Sequence, residues 1–252
     1  MNPPKEFSFA ARLIAWQKSQ GRHDLPWQGT GDAYRIWLSE IMLQQTQVAT
    51  VIPYFRRFLA EFPTVTALAQ APLNAVLERW AGLGYYARAR HLHRCAQQVA
   101  AAYGGHFSET PAELAALPGI GRSTAAAIAV FAFGTRAAIL DGNVKRVLAR
   151  CFGIEGFPGS APVARRLWAL AESLLPDTDL EAYTQGLMDL GATVCRRSRP
   201  VCENCPVRLE CVAFRKGRQA DLPTPRPRKA LPERKTAMLL LMDEHTLLLE
   251  RR

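Results

Sequence analysis

The chain has 252 residues, 48% of them hydrophobic, enough for one large domain, or one and a half, with a full core. Its 32 Lys and Arg outweigh 22 Asp and Glu, giving a net charge of +10 and a pI near 9.7, a balance suited to a polyanionic partner. No apolar run reaches the ~18 residues of a membrane span, and the first residues lack the basic start and unbroken apolar stretch of a signal peptide. The protein is therefore expected inside the cell, away from membranes.

Helical spacing predicts a first helix over residues 8–19, with Phe9, Leu13, Ile14 and Trp16 inward and Gly21 after it. Asp32 is placed to cap a second helix running to about residue 46. Val51, Phe55, Phe58, Leu59 and Phe62 form the apolar face of a third, and Thr64 and Pro72 mark further starts. Leu73, Val76, Leu77 and Trp80 make another stripe, stopped by Gly82 and Gly84. Residues 85–103 read as one long helix closed by Gly104 and Gly105, and Thr110-Pro111-Ala112-Glu113 as a capping-box start.

The stretch LPGIGRSTAAAIAVFAFG (117–134) follows. Gly119 and Gly121 precede an alanine-rich helix over 123–133 that Gly134 can end in the left-handed conformation. Such a hairpin exposes backbone N–H groups at a positive helix end, which suits a phosphate; it also suits an ordinary corner between helices. Lys145 and Arg146 downstream favour DNA. Asp141-Gly142-Asn143 opens the next helix, and two more are expected near 162–175 and 180–194. No convincing period-two strand occurs before residue 235, so residues 1–222 are expected to be all-α. Pro223, Pro225, Pro227 and Pro232, set among Lys and Arg, make residues 223–234 a stiff linker. Residues 236–242 and 246–252 read as two strands around Asp243-Glu244-His245. A lone hairpin is marginally stable at best, so the sequence is expected to stop just inside a second domain.

Four of the six cysteines form the pattern Cys195-x6-Cys202-x2-Cys205-x5-Cys211. Four thiols so close together, in a basic protein expected inside the cell, argue for a metal centre over disulfides, and their chemistry admits zinc or an iron–sulfur cluster. Cys95 and Cys151 fall on apolar helix faces and are expected to be core thiols; His23, His93 and His106 are expected at the surface. Between Cys195 and Lys235 twelve Lys and Arg face four Asp and Glu, concentrating the positive charge around this centre.

Two carboxyls stand out. Glu40 lies among Trp37, Leu38, Ile41, Met42 and Leu43, a setting that would raise its pKa if it faces inward, while an outward-facing helix glutamate is the plainer alternative. Asp141 before a glycine is an everyday N-cap and turn residue. Cleaving an N-glycosidic bond needs one carboxyl to protonate the departing base and one carboxylate to face the sugar.

The 6-2-5 cysteine spacing, the glycine hairpin and the downstream Asp together resemble the endonuclease III superfamily of DNA glycosylases. Within it the chain is most similar to the MutY-type adenine DNA glycosylases, through WLSEIMLQQTQV (37–48), WAGLGYYARAR (80–90), LPGIGRSTAAAI (117–128), LDGNVKRV (140–147) and YTQGLMDLGATVC (183–195). The resemblance spans nearly all of residues 8–222. It implies two helical lobes with DNA between them: a six-helix barrel over about 28–137, and a cluster lobe from 1–27 and 138–222 holding a [4Fe–4S] cluster on Cys195, Cys202, Cys205 and Cys211. Residues 235–252 would begin a Nudix-like α+β domain, so the sequence is expected to be a C-terminally truncated piece.

The resemblance implies removal of adenine mispaired with 8-oxoguanine or guanine in double-stranded DNA, by a monomer, cytoplasmic and nucleoid-associated if bacterial. Glu40 would be the acid and Asp141 the stabiliser of the oxocarbenium ion. Gln44, Gln45 and Thr46 would fill the gap left by the extruded base, and Tyr85 would wedge beside the oxidised guanine. Trp27, Gln185 and Met188 would line the adenine pocket, and Gly119 and Gly121 would meet the backbone. Ser123 stands where strand-cleaving relatives carry a lysine, which implies a monofunctional enzyme. His91 stands where the family often has asparagine. The competing expectations are an endonuclease III-like pyrimidine or T/G-mismatch glycosylase, and a non-catalytic helix-hairpin-helix DNA-binding module.

Overall fold

The computed structural model describes residues 8–227, 233, 235–237, 239–243 and 246–248. Local chemistry sets most helix ends. Helix α1 (Phe9–Gln20) starts where the Ser8 hydroxyl accepts from the Ala11 amide at 3.2 Å. Helix α2 (Ala33–Leu43) starts where the Asp32 carboxylate accepts from the Tyr34 and Arg35 amides. Helices α3 (Val48–Glu61), α4 (Val65–Gln70) and α5 (Leu73–Trp80) follow, and the Thr64 hydroxyl caps α4. Next come α6 (Ala87–Tyr103), the single turn α7 (Pro111–Ala115) and α8 (Arg122–Phe133); left-handed Gly104 and Gly134 end α6 and α8. The chain continues through α9 (Gly142–Phe152), α10 (Ala161–Ser173) and α11 (Leu180–Asp189), which runs into a π-helical turn, Leu190–Val194. A 3₁₀ turn (Cys202–Asn204) and α12 (Val212–Arg215) complete the cysteine-bearing region.

These helices bury two apolar cores. The first runs from Leu25 to Ala129 and is built on α2–α6 and α8, with Trp37, Phe55, Phe58 and Trp80 fully enclosed. The second joins Phe9, Leu13 and Trp16 of α1 to apolar residues of α9, α10 and α11. Helix α8 serves both: Ile128 and Ala129 belong to the first core, Ala126 and Ala127 to the second. A helix apolar on every side must be enclosed on every side, and its run of alanines lets helices approach closely from both directions. The two-lobed, all-helical architecture read from the sequence is the one observed.

Several local expectations are corrected. Helix α2 stops at Leu43, so Gln44, Gln45 and Thr46 lie beyond it; Gln44 leaves the helical region with ψ 111°, and Gln45 takes φ +58°. Helix α6 starts at Ala87, and Tyr85 precedes it with φ +49°. The Thr110 side chain makes no cap bond; the Ser108 hydroxyl instead accepts from the Thr110 amide and bonds Glu113. Helix α8 starts at Arg122, one residue before the expected 123, with Gly121 as its N-cap. His93 is 6% exposed, its Nε2 within 2.9 Å of the Ala71 carbonyl, because α6 presses that face onto α4; His23 and His106 are exposed as expected.

Near the C-terminus, β1 (Met242–Asp243) pairs antiparallel with β2 (Thr246–Leu247), Met242 opposite Leu247 and Asp243 opposite Thr246. The rest of the expected turn and second strand (244, 245 and 249–252), and Pro232 of the linker, lie outside the described residues. Among the described residues no helix is long and apolar enough to cross a membrane.

Candidate active site and cysteine centre

A cavity of about 480 Å³ opens between α2, α11 and the loop before α2. It brings together four residues singled out in the sequence: Trp27, Glu40, Gln185 and Met188. Glu40 comes from the last turns of α2, on the side that faces α8 and α11 rather than solvent, so the outward-facing alternative does not hold. Dense surroundings lift its pKa from 4.5 to about 8, burial being the larger cause and the negative charge of Asp141 the second. At neutral pH this carboxyl keeps its proton.

Asp141 does not line that cavity, but it lies close enough to influence Glu40. It is the N-cap of α9, where Oδ1 accepts from the Val144 amide at 2.8 Å. Burial raises its pKa; the Val144 and Asn143 amides and the cations Arg146 and Lys145 oppose that rise. The Ser123 hydroxyl accepts from the Leu140 amide at 2.9 Å, which ties the start of α8 to the residue before Asp141. The everyday reading of Asp141 as a helix cap is thus correct, and the capped carboxylate is near enough for its charge to act on Glu40.

No local pattern in the sequence points to the group that orients Gln185. The Gln185 amide nitrogen donates to Asp189 Oδ1 at 2.8 Å. Asp189, 1% exposed, also accepts from the backbone amide and the guanidinium of Arg22, at 2.9 and 2.7 Å. An ionised carboxylate only accepts, so Gln185 must turn its NH₂ toward Asp189 and leave its carbonyl oxygen for the cavity.

The remaining candidates form a second group. Gln44 and Thr46 are half-buried, Gln45 is exposed, and Tyr85 is 60% exposed, so its ring is no part of the core. In the hairpin, Gly119 has φ +79°, and a Cβ there would come within 2.8 Å of His91 Cβ, so only glycine fits between the hairpin and α6. Gly121 is open to solvent.

Cys195, Cys202, Cys205 and Cys211 line one cavity of about 320 Å³ together with Arg150 and Arg208. Among the described residues no group of three or more His, Cys, Asp or Glu closes on a point as a single ion requires. Arg150, 3% exposed, donates to the Arg196, Arg197 and Leu222 carbonyls and reaches Cys195 Sγ at 3.5 Å; Arg146 donates to the Cys195 carbonyl at 2.8 Å. Cys95 and Cys151 are buried, as their helix faces implied, although Cys151 packs beside Cys211.

Residues 38–173 match the HhH-GPD superfamily of base excision DNA repair proteins. The chain is 38% identical over 246 residues to an adenine DNA glycosylase of Buchnera aphidicola (subspecies Acyrthosiphon pisum), covering 98% of this chain and 70% of that protein. It is 43% identical over 224 residues to the human adenine DNA glycosylase, covering 85% of this chain and 41% of that one. The chain belongs to the adenine DNA glycosylases of the HhH-GPD superfamily. Among solved structures, a thermostable thymine-DNA glycosylase superposes with a TM-score of 0.75 at 30% identity, over 82% of this chain and 95% of that one. An endonuclease III–DNA complex, at 20% identity and a TM-score of 0.69, shares the fold. In this adenine DNA glycosylase, the helix-hairpin-helix of the superfamily is α7, the Gly119–Gly121 turn and α8.

Proposed function

We propose that this chain binds double-stranded DNA, extrudes adenine mispaired with 8-oxoguanine or guanine, and removes it by hydrolysis. One observation carries the reading: Glu40, protonated up to about pH 8, lines a cavity with Trp27, Gln185 and Met188 and is electrostatically coupled to Asp141. Glu40 hands its proton to N7 of the purine as the glycosidic bond stretches, and Asp141, ionised, faces the positive charge growing on the sugar. Water then bonds to the sugar carbon and gives up a proton to the Glu40 carboxylate, which restores the acid. Trp27 and Met188 wall the pocket, and the fixed carbonyl of Gln185 accepts from the exocyclic amine of adenine. Gln44, Gln45 and Thr46 fill the gap left in the stack, Tyr85 wedges beside the opposite base, and Gly119 and Gly121 bring amides to the backbone.

We take the barrel as residues 28–137 and the cluster lobe as 1–27 with 138–222, 223–234 as a linker, and 235–252 as the start of a Nudix-like domain. The four cysteines suit a [4Fe–4S] cluster better than zinc. Four thiols as the whole donor set admit either group; the 6-2-5 spacing that the chain shares with the endonuclease III superfamily favours the cluster. Such a cluster would staple the chain segment that presents Arg196, Arg197, Arg199 and Arg208 to phosphates. Purified protein is expected to carry about four iron and four sulfide per chain, and Cys202→Ser to lose both along with thermal stability; full iron content in that variant would remove Cys202 from the ligand set.

One assay separates the competing reactions. Duplexes with A opposite 8-oxoguanine, oxidised thymine, or T opposite G are offered in single turnover, and only the first is expected to lose its base. Excision of either pyrimidine instead would overturn the reading. With Ser123 in place of a lysine, no Schiff base can form there, so borohydride is expected to trap little covalent protein–DNA adduct.

A further inference from the structure

Arg88 is a buried cation with no carboxylate partner among the described residues. It projects from the first turn of α6, is 9% exposed, and spends its guanidinium on two loops at once. Nη1 donates to the carbonyls of Ile41 (3.1 Å), Met42 (2.8 Å) and Gln44, and Nη2 donates to the Thr46 hydroxyl (3.1 Å). Nη2 also donates to the carbonyls of Leu83 (3.2 Å) and Gly84 (3.5 Å). Its charge is met by the negative end of α2 and by the faces of Trp80 and Tyr85, 5.3 and 5.4 Å from their ring centroids.

The geometry assigns a task. Only four non-glycine residues among those described have positive φ, and two of them, Gln45 and Tyr85, flank the carbonyls that Arg88 gathers. Strained backbone of this kind persists where its surroundings over-determine it. We propose that Arg88 is a positioning residue that latches residues 44–46 and residues 83–85 into one register. The plug on the side of the extruded base and the Tyr85 wedge then enter the duplex as one body. This rests on the roles given above to Gln44, Gln45, Thr46 and Tyr85. The arrangement makes base extrusion conditional on the opposite base: a wedge that finds no seat holds the plug out of the stack.

The test uses the whole chain. Arg88→Lys keeps the charge but offers one ammonium in place of a planar fork. In the DNA-free protein, amide hydrogen exchange at 44–46 and at 83–86 is expected to accelerate together by about tenfold or more, with α9 unchanged. Single-turnover excision of A opposite 8-oxoguanine is expected to fall about 10- to 100-fold, while affinity for a duplex carrying an uncleavable adenosine analogue changes less than about threefold. Thr46→Val removes a single acceptor and is expected to speed exchange at 83–85, across the latch; it carries the test should Arg88→Lys fail to fold. Loosening of one loop alone, of neither, or no effect of Thr46→Val on 83–85 would overturn the latch. Both loops loosened with excision intact would overturn the positioning role and, with it, the DNA contacts assigned to these loops. Excision lost with both loops still protected would overturn the latch while leaving those contacts standing.

Discussion

Glu40→Gln is expected to slow single-turnover excision of adenine by roughly 10²–10⁴-fold, the usual contribution of a general acid, with duplex binding retained. Wild-type excision should fall as pH rises through about 8, where Glu40 gives up its proton. Stability carries an independent signature. The Glu40 carboxyl has a pKa of about 8 when folded and about 4.5 when exposed, so the folded chain holds a proton that the unfolded chain has released. Wild-type stability is therefore lost progressively from about pH 4.5 up to about pH 8. Glutamine has no such dependence. The variant should match wild type below that window and exceed it above, by at most about 5 kcal/mol at 1.36 kcal/mol per unit. Parallel stability curves for the two proteins across this range would show that Glu40 is not held neutral.

Asp141→Asn should cost about 10²–10³-fold or more in the excision step, as removal of one preorganised electrostatic group does elsewhere. Asparagine caps a helix as well as aspartate does, so the bond from the Val144 amide survives and the melting temperature should change little. Asp141→Ala loses the cap as well, with a further cost of about 1 kcal/mol in stability. Removing the Asp141 charge also removes one of the two causes that raise Glu40. The high-pH limb of the residual activity should therefore move to lower pH. An unchanged limb, or near-normal excision by Asp141→Asn, would separate the two carboxyls and break the proposed pairing.

Much of this was legible because the relevant forces are local. Ser8, Asp32, Thr64 and Asp141 cap helices through bonds to amides two or three residues away, and a reader of the sequence can see both partners. The apolar residues around Glu40 announced a raised pKa because they are its neighbours on the helix as well as in space. What escaped depends on partners far along the chain. Helix α2 ends three residues early because Arg88, more than forty residues away, gathers its last carbonyls. Gln185 is oriented through Asp189 by Arg22, on the far side of the chain. His93 is buried because α6 lies against α4, which no period within α6 records. The Thr110 capping box has the right letters, but Ser108 sits closer to Glu113 and makes the bonds.

The alanine helix α8 belongs to both cores at once. Neither half of the molecule can then melt or swing away without stripping apolar surface from the other. The two halves are accordingly one stiff body rather than two joined by a hinge. On the proposed function, a duplex bound to such a body has to supply the bending itself, and DNA already weakened at a mismatched step yields most easily.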